Sequence, residues 1–226
     1  PPDQGVLVYN FEDSNIAKIL DSYSGKKISY GFESGDWTVE NLFFKRNGLE
    51  FDILHKGQKE DSLFLPMFGK YNVTNALAVY ALTRELGWDV DRKKEFAAFK
   101  GVKRRQELIG EPNGVQVIED FAHHPTAVAA TIESFQAREG AGRLFVIFEP
   151  RSNTSRRRIF QDAYIQALRP ADEVFLCRPS LGTQLSNPEE LMDVYQVIEA
   201  VGRPGNSFEK VEEVIEIIAE KAKPGD

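Results

Sequence analysis

The sequence predicts an α/β protein in two parts, and three observations carry this prediction. Apolar residues between Ile28 and Leu65 come in short or alternating runs, which is typical of an antiparallel β meander. Two helical patterns follow, up to about residue 100. Beyond that point strands alternate with helices, which indicates parallel βαβ units. We therefore predict two domains, 1–100 with a β meander plus helices and 101–226 with a mostly parallel sheet.

The elements of the first part follow from apolar runs and their boundary residues. Val6-Leu7-Val8-Tyr9 predicts a buried strand, and Ser14 to Leu20 predicts a short helix with Ser14 as its N-cap. Asn-Gly between alternating runs is a strong hairpin signal. Turns are predicted at Asn47-Gly48 and Lys56-Gly57. One helix is predicted to end at about Leu86, and a second is predicted from about Asp91 to Phe99, with Asp91 as its cap.

The second part has a regular rhythm. Strands are predicted at 115–120, 144–148 and 173–177, and helices at 125–138, 156–168, 188–200 and 210–222. The chain closes on Gly225-Asp226 after the last helix, a pair that usually precedes another strand. We therefore expect the last strand–helix unit of this domain to be missing.

Composition narrows the functional classes. A net charge of −7 and a pI near 5.2 argue against a nucleic-acid partner bound through a basic surface. No apolar run approaches the ~20 residues of a transmembrane helix, so no membrane role is expected. The single cysteine, Cys177, excludes an internal disulfide framework and is typical of a reducing cytoplasm. We therefore expect a cytoplasmic protein.

One candidate binding segment runs from Glu119 to Pro125, between a predicted strand and a predicted helix. Ligands of open α/β sheets bind outside the carboxyl ends of strands. Asp120 could accept hydrogen bonds from ribose hydroxyls, and Phe121 could stack on a base. His123 and His124 could contact phosphate or organise the loop. The alternative is a helix-capping turn with Pro125 at the first helical position. With three histidines and one cysteine in the chain, no metal site is predicted.

A second candidate runs from Glu149 to Arg158 and carries four arginines at or before a predicted helix N-terminus. Arginines and free backbone N–H groups together favour carboxylate or phosphate. We therefore interpret Arg151, Ser152, Asn153 and Thr154 as ligand-binding. A solvated charged face is the alternative for at least one of Arg156, Arg157 and Arg158. A third polar loop, Cys177 to Ser180, is expected at the same sheet edge.

Two further pairs are candidates. Arg104 and Arg105 stand at the domain junction, where they could reach a phosphate; the alternative is a surface ion pair with Glu107 or Glu111. Asn72 and Asn75 lie three residues apart at a helix start, so both can face one ligand; alternatively Asn72 is an N-cap. No phosphate loop of the form G-x-x-x-x-G-K-[ST] occurs in the chain.

Four segments resemble motifs of the Mur ligase family. Residues 69–78 resemble its G-x-H-N-x-x-N-A-x-A segment, with Tyr71 in place of the histidine. Residues 101–107 are similar to its G-[VI]-x-R-R-x-E segment, and 119–127 to its D-D-[YF]-[AG]-H-H-P-T segment. The E-P-R-S-N-T loop at 149–154 resembles one branch of the family, the murein peptide ligases.

This resemblance implies an ATP-dependent ligase of peptidoglycan recycling. Such enzymes join the murein tripeptide L-Ala-γ-D-Glu-meso-Dap to UDP-N-acetylmuramate through an acyl-phosphate, with ATP and Mg²⁺. The chain would correspond to the end of the central ATPase domain and most of the Rossmann-like C-terminal domain, and we expect it to be inactive alone. Two alternatives are a non-catalytic nucleotide- or peptide-binding module and the family member that adds L-alanine.

The resemblance also assigns roles by position. Asn72 and Asn75 match an asparagine pair beside adenine, Arg105 a hinge arginine that reaches ATP phosphate, and Asp120 a ribose-binding aspartate. Phe121 takes an aromatic place beside the nucleotide, and we group His123 and His124 with this ATP site. The loop expected to face the incoming peptide holds Arg151, Ser152, Asn153, Thr154 and Arg156.

Overall fold

A computed structural model describes residues 5–20, 22–179 and 188–226 of the chain. Its backbone contacts divide the chain into two compact units, Pro1–Gly101 (unit 1) and Val102–Asp226 (unit 2). The division lies at Gly101, whose φ of 77° is a left-handed conformation that favours glycine.

Unit 1 is built on a five-stranded sheet in which spatial order follows chain order. Strands β3, β4 and β5 pair antiparallel, so the predicted meander is confirmed for these three. The prediction is wrong for β2, which pairs parallel with β1 and with β3. The helix between β1 and β2 is the physical reason, since it carries the chain across to start β2 in the same direction. The strands are β1 Val6–Asn10, β2 Lys26–Tyr30, β3 Trp37–Lys45, β4 Gly48–His55 and β5 Gln58–Leu65.

The helices of unit 1 are α1 Ser14–Leu20, α2 Lys70–Glu85 and α3 Arg92–Ala97. The side chain of Asp13, rather than that of Ser14, caps the start of α1. Its Oδ1 accepts a hydrogen bond from Asn15 N at 2.9 Å. Asp91 is confirmed as the cap of α3, because its side chain accepts from Lys94 N at 3.2 Å. The N-cap of α2 is Gly69, so the alternative that Asn72 is a cap is wrong.

The core of unit 1 lies between the sheet and α2. Trp37, Ile53 and Leu77 are at most 2% exposed and belong to one apolar cluster. The Trp37 indole stacks on the His55 ring at 4.2 Å between centroids, and its Nε1 donates to Glu85 Oε1 at 3.3 Å. The β4–β5 turn uses Lys56 and Gly57, both with positive φ, as two-residue hairpin turns require.

Asp52 on β4 is expected to make unit 1 acid-sensitive. Hydrogen bonds from Asn41, Ser62 and Lys59 lower the pKa of its carboxyl from 3.8 to about 2. A folded-state pKa below the unfolded value stabilises the fold above the unfolded pKa, and this is lost as pH falls from about 4 towards 2. With solvent screening we expect about 1 kcal/mol.

The measurement compares urea midpoints of unit 1 for the native chain and Asp52→Asn at about pH 7 and about pH 3. Both tryptophans, Trp37 and Trp88, lie in unit 1, so tryptophan fluorescence reports on this unit. The Asn variant should lose part of the stability difference between the two pH values. Glu40→Gln, at an exposed carboxylate, should keep it. An unchanged difference in Asp52→Asn would contradict the prediction.

Unit 2 contains two sheets among the described residues. Strands β8 (Phe145–Phe148), β9 (Glu173–Cys177) and β10 (Gly205–Phe208) form a parallel sheet in the order β10-β9-β8. The predicted parallel sheet is confirmed for β8 and β9, and β10 had no sequence prediction. The strand predicted at 115–120 is present as β7 (Val117–Glu119), but its predicted place in the parallel sheet is wrong. It pairs antiparallel with β6 (Glu107–Gly110).

A tight turn explains the pairing of β7. The 3-10 turn Pro112–Gly114 joins β6 to β7, with Asn113 and Gly114 at φ values of 53° and 77°. This reversal places β7 against β6. Before β7, Gln116 N donates to Asp226 O at 2.9 Å.

The helices of unit 2 cover both faces of its parallel sheet. They are α4 Pro125–Gln136, α5 Gln161–Leu168, α6 Val194–Val201 and α7 Val211–Lys221. Helices α4, α5 and α6 contribute to one apolar cluster with Val174 and Leu176 of β9. On the other face Phe175 packs with Val214 of α7. Both α5 and α6 begin later than predicted, after 3-10 turns at Arg158–Phe160 and Pro188–Glu190. No described helix is long and apolar enough to cross a membrane.

Candidate functional site

The loop that follows β7, residues 119–125 (the strand-end loop), is held by the carboxylate of Asp120. Its Oδ1 accepts from Ala122 N at 2.7 Å and its Oδ2 accepts from Gln106 N at 3.0 Å. Phe121 N donates to Arg104 O at 2.7 Å. These bonds join the loop to residues 104–106. Since a carboxylate has about four lone-pair sites, each oxygen can still accept a further bond.

Two arginines lie over the ring of Phe121, which is 48% exposed. The guanidinium carbons of Arg105 and Arg104 are 5.2 and 5.7 Å from the ring centroid, within cation–π range. Arg104 Nε also pairs with Glu119 Oε1 at 2.8 Å, so the alternative of a side-chain ion pair with Glu107 or Glu111 is wrong. Glu107 Oε2 instead accepts from the backbone N–H of Arg104 at 2.7 Å. The exposed guanidinium of Arg105 makes no hydrogen bond or ion pair with any described residue, and remains able to bind an anion.

The two histidines have different local roles. His124 is the N-cap of α4, where its Nδ1 accepts from Thr126 N at 3.4 Å. Pro125 occupies the first helical position, as the capping alternative predicts. His123 Nδ1 lies 3.0 Å from Phe121 O, which requires the tautomer with a proton on Nδ1. The capping turn and an exposed Phe121 therefore occur in the same loop.

Tyr164 of α5 supports this loop and had no sequence prediction. Its side chain is fully buried, and its hydroxyl donates to His123 O. Its ring lies 5.1 Å from that of Phe148 at the end of β8. Burial raises the pKa of Tyr164 to about 12, so the hydroxyl stays protonated as a donor. The sequence signal for such a residue is a tyrosine within the apolar stripe of a predicted helix. Its hydroxyl is then buried and needs a hydrogen-bond partner.

Gln106 is a second residue without a prediction. Its backbone has a φ of 52° and donates to Asp120, and its side-chain Nε2 donates to the buried Ser134 Oγ at 3.0 Å. Gln106 therefore ties the strand-end loop to α4.

The segment 149–158 (the arginine loop) is a series of turns before α5. Ser152 Oγ and the fully buried Ser155 Oγ are 2.9 Å apart, and each accepts from the other residue's backbone N–H at 3.0 Å. Arg156 N donates to Ser152 O at 3.1 Å and Arg157 N to Thr154 O at 3.2 Å. The predicted helix start at 156 is wrong, since these turns delay α5 to Gln161. The N–H groups of Arg156 and Arg157 are thus already bonded.

The arginines of this loop differ in their partners. Arg151 Nε pairs with Glu149 Oε1 at 3.2 Å, and its side chain is 75% exposed. Arg157 Nη1 pairs with Glu190 Oε2 at 3.4 Å. Arg158 Nη2 donates to Gln196 Oε1 at 3.3 Å. Arg156 is half-buried, and its Nε is buried without a hydrogen-bond partner. Asn153 is exposed and Thr154 half-buried.

The parallel pairing of β8 and β9 brings their carboxyl ends to one edge of the sheet. Burial raises the pKa of the Cys177 thiol at the end of β9; Glu149 raises it further and Arg151 opposes this. The arginine loop therefore lies close to the end of β9. Of the predicted third loop, Ser180 lies outside the described residues. The strand-end loop contacts the turn before α5, since the ring centroids of His124 and Phe160 are 5.7 Å apart. This contact brings the loop towards the same edge of the sheet.

The asparagine pair lies in unit 1, near the start of α2. Asn72 is 7% exposed and its Nδ2 donates to Phe68 O at 2.7 Å, whereas Asn75 is exposed. Tyr71 is 37% exposed. Within the described parts of both units, no group of three or more His, Cys, Asp and Glu residues is placed to hold a metal ion.

Two family models match the chain. The one described as "Mur ligase, glutamate ligase domain" matches residues 104–226, and the "Mur ligase middle domain" matches 1–83. The UDP-N-acetylmuramate–L-alanyl-γ-D-glutamyl-meso-2,6-diaminoheptandioate ligase of Escherichia coli K12 is 31% identical over 227 residues, covering 100% of this chain and 48% of that protein. The UDP-N-acetylmuramate–L-alanine ligase of a Hydrogenobaculum species is 33% identical over 177 residues, covering 77% and 39%.

A solved structure is also similar. The murein peptide ligase of Psychrobacter arcticus matches with a TM-score of 0.57 and 28% identity, over 100% of this chain and 47% of that one. The chain therefore spans about half the length of the relatives it matches.

Proposed function

Because the chain belongs to the Mur ligase family, we propose that it is part of an ATP-dependent ligase joining murein tripeptide to UDP-N-acetylmuramate. The main support for this member of the family is one loop. Whole-chain alignment does not separate the members, since the E. coli relative with a tripeptide ligase name and the L-alanine ligase of Clostridium botulinum each align with the whole chain at 31% identity. The E-P-R-S-N-T sequence at 149–154 resembles the corresponding loop of the murein peptide ligases.

The observation that carries the nucleotide half of the proposal is the pairing of Arg105 with Phe121. An exposed aromatic ring suits a base or ribose, and a free guanidinium beside it suits a phosphate. In the proposed site Asp120 accepts from ribose through its remaining lone pairs. His123 and His124 shape the loop below the nucleotide. The role of Asn72 and Asn75 beside adenine stays a prediction from the family resemblance.

The peptide half of the proposal rests on the arginine loop. The incoming tripeptide has several carboxylates, and arginine binds carboxylate through paired N–H donors. Ser152, Asn153 and Thr154 add polar groups between the two arginines, Arg151 and Arg156. The serine bonds fix the backbone of this loop, so its side chains are positioned before a ligand arrives.

The experiment is a calorimetric comparison of ligands on the purified chain. We expect the tripeptide L-Ala-γ-D-Glu-meso-Dap to bind at least about tenfold more tightly than L-alanine, because more of its carboxylates meet arginines. An Arg46→Ala variant, altered in the β3–β4 turn of unit 1, is the control and should leave both affinities unchanged. Tighter binding of L-alanine would contradict the proposal. With no phosphate loop in these 226 residues, the chain alone should release no ADP from ATP when tripeptide is present.

Two alternatives have their own supporting observations. The L-alanine ligase of Hydrogenobaculum is slightly more identical to this chain over a shorter match, which favours an L-alanine-adding enzyme. The exposed ring of Phe121 and the exposed Arg151 would equally serve a binding module without catalysis. The E-P-R-S-N-T loop leads us to prefer the tripeptide ligase over both.

A further inference from the structure

The four arginines of the arginine loop do not have equivalent surroundings. Arg151 and Arg157 are already paired with carboxylates, of Glu149 and Glu190. Arg158 is exposed and bonded to the amide oxygen of Gln196. Only Arg156 among these four has a guanidinium with no hydrogen bond or ion pair to the described residues. A ligand anion would not have to displace a partner there.

The surroundings of the Arg156 guanidinium make its lack of a partner energetically costly. Its Nε is fully shielded from solvent and lacks an acceptor. A buried polar group without a partner is costly, and more so for a charged one. Native proteins satisfy most buried polar groups, so an exception calls for a physical reason. A bound anion at the terminal nitrogens of the same guanidinium, which are not shielded in this way, would offset part of this cost.

The backbone holds Arg156 in place. Its N–H donates to Ser152 O at 3.1 Å, and its carbonyl accepts from Met192 N at 2.8 Å. The next residue, Arg157, forms a β-bridge with Leu191. The backbone of Arg156 is therefore fixed between the arginine loop and the segment before α6, so that ligand binding has only the side chain left to order.

We propose that Arg156 is the residue of this loop that receives a carboxylate of the incoming peptide, whereas Arg151 is held by Glu149 and shapes the rim of the site. This inference rests on the proposed function for the identity of the peptide. Its chemical core, an anion site at Arg156, rests on the unpaired guanidinium of this residue beside three arginines that have partners. A planar guanidinium with a free edge matches a carboxylate through two parallel N–H···O bonds.

The test uses Arg156→Met in the full 226-residue chain, because methionine keeps an unbranched stem and removes the charge. Arg158→Met, on an exposed arginine of the same loop, is the matched control. Calorimetry measures the tripeptide Kd, thermal melting measures stability without ligand, and NMR follows the Arg156 Nε–H signal during titration with glutarate, a simple dicarboxylate.

We expect Arg156→Met to weaken tripeptide binding by about tenfold or more without lowering the ligand-free melting temperature, since it removes an unsatisfied buried group. Arg158→Met should stay within about twofold of the native Kd. Unchanged tripeptide affinity in Arg156→Met, or a fall in its melting temperature that marks a structural cation, would overturn the inference.

The two proposals fail in different ways. If the native chain binds no tripeptide but glutarate shifts the Arg156 Nε–H signal, the proposed function fails and the anion site at Arg156 stands. If neither ligand binds, the inference is overturned as well.

Discussion

Asp120→Ala is expected to destabilise unit 2 by about 2 kcal/mol. The substitution removes the acceptors of two backbone N–H groups, those of Gln106 and Ala122. A carboxylate acceptor contributes more than a neutral one, and an N–H left without an acceptor costs about 1–3 kcal/mol when it is buried. Asp120 is half-buried, so water offsets part of this cost. The strand-end loop should then separate from residues 104–106.

The measurement is urea unfolding followed by two probes. Tryptophan fluorescence reports on unit 1, since unit 2 has no tryptophan. Far-ultraviolet circular dichroism reports on both units. Asp120→Ala should lower the dichroism midpoint and leave the fluorescence midpoint in place. Asp120→Asn keeps one acceptor oxygen and should cost about half as much.

Asp172→Ala is the matched control for Asp120→Ala. Asp172 is exposed and accepts from a single backbone N–H, that of Leu144 at 2.8 Å. We expect a loss of about 0.5–1 kcal/mol there. Equal losses at Asp120 and Asp172 would show that Asp120 does not join two segments of the chain.

The sequence locates the strand-end loop because the signal is local. An apolar run, an acid, an aromatic residue and a proline at a helix start lie within a dozen positions. The partner of Asp120 is not local: Gln106 lies 14 residues earlier and reaches the carboxylate only with a φ of 52°. Side-chain spacing carries no information about that backbone angle.

Strand pairing shows the same limit. Periodicity identifies β7, β8 and β9 as strands, but hydrogen bonds between strands depend on connections that periodicity does not describe. The turn at Pro112–Gly114 turns β6 back onto β7, and β6 itself shows only a short apolar pair, Leu108 and Ile109. The strand β10, Gly205–Phe208, is largely polar and has one buried residue, so its sequence resembles a loop.

The arginine loop shows why composition alone does not select a binding residue. Four arginines within eight positions look equivalent in the sequence. Their partners Glu149, Glu190 and Gln196 come from three different segments. Only the folded chain separates a paired arginine from an unpaired one.

Leu77→Ala and Leu168→Ala are each expected to cost about 3 kcal/mol in different units. Both leucines are fully buried, Leu77 on α2 in the core of unit 1 and Leu168 on α5 in the core of unit 2. Alanine removes most of the side chain and leaves a cavity, so lost burial and lost contacts add. Val79→Ala, 52% exposed on α2, and Ile159→Ala, 80% exposed before α5, should cost less than about 0.5 kcal/mol.

We propose that the two units unfold independently, because each has its own apolar core. Leu77→Ala should then shift the tryptophan fluorescence midpoint, and Leu168→Ala should shift only the dichroism transition of unit 2. The losses in the double variant should add to within about 0.5 kcal/mol, as they do for sites without shared contacts. A common transition in both probes, moved equally by either substitution, would instead mean that the chain unfolds as one cooperative unit, and an energetic boundary at Gly101 would then not exist.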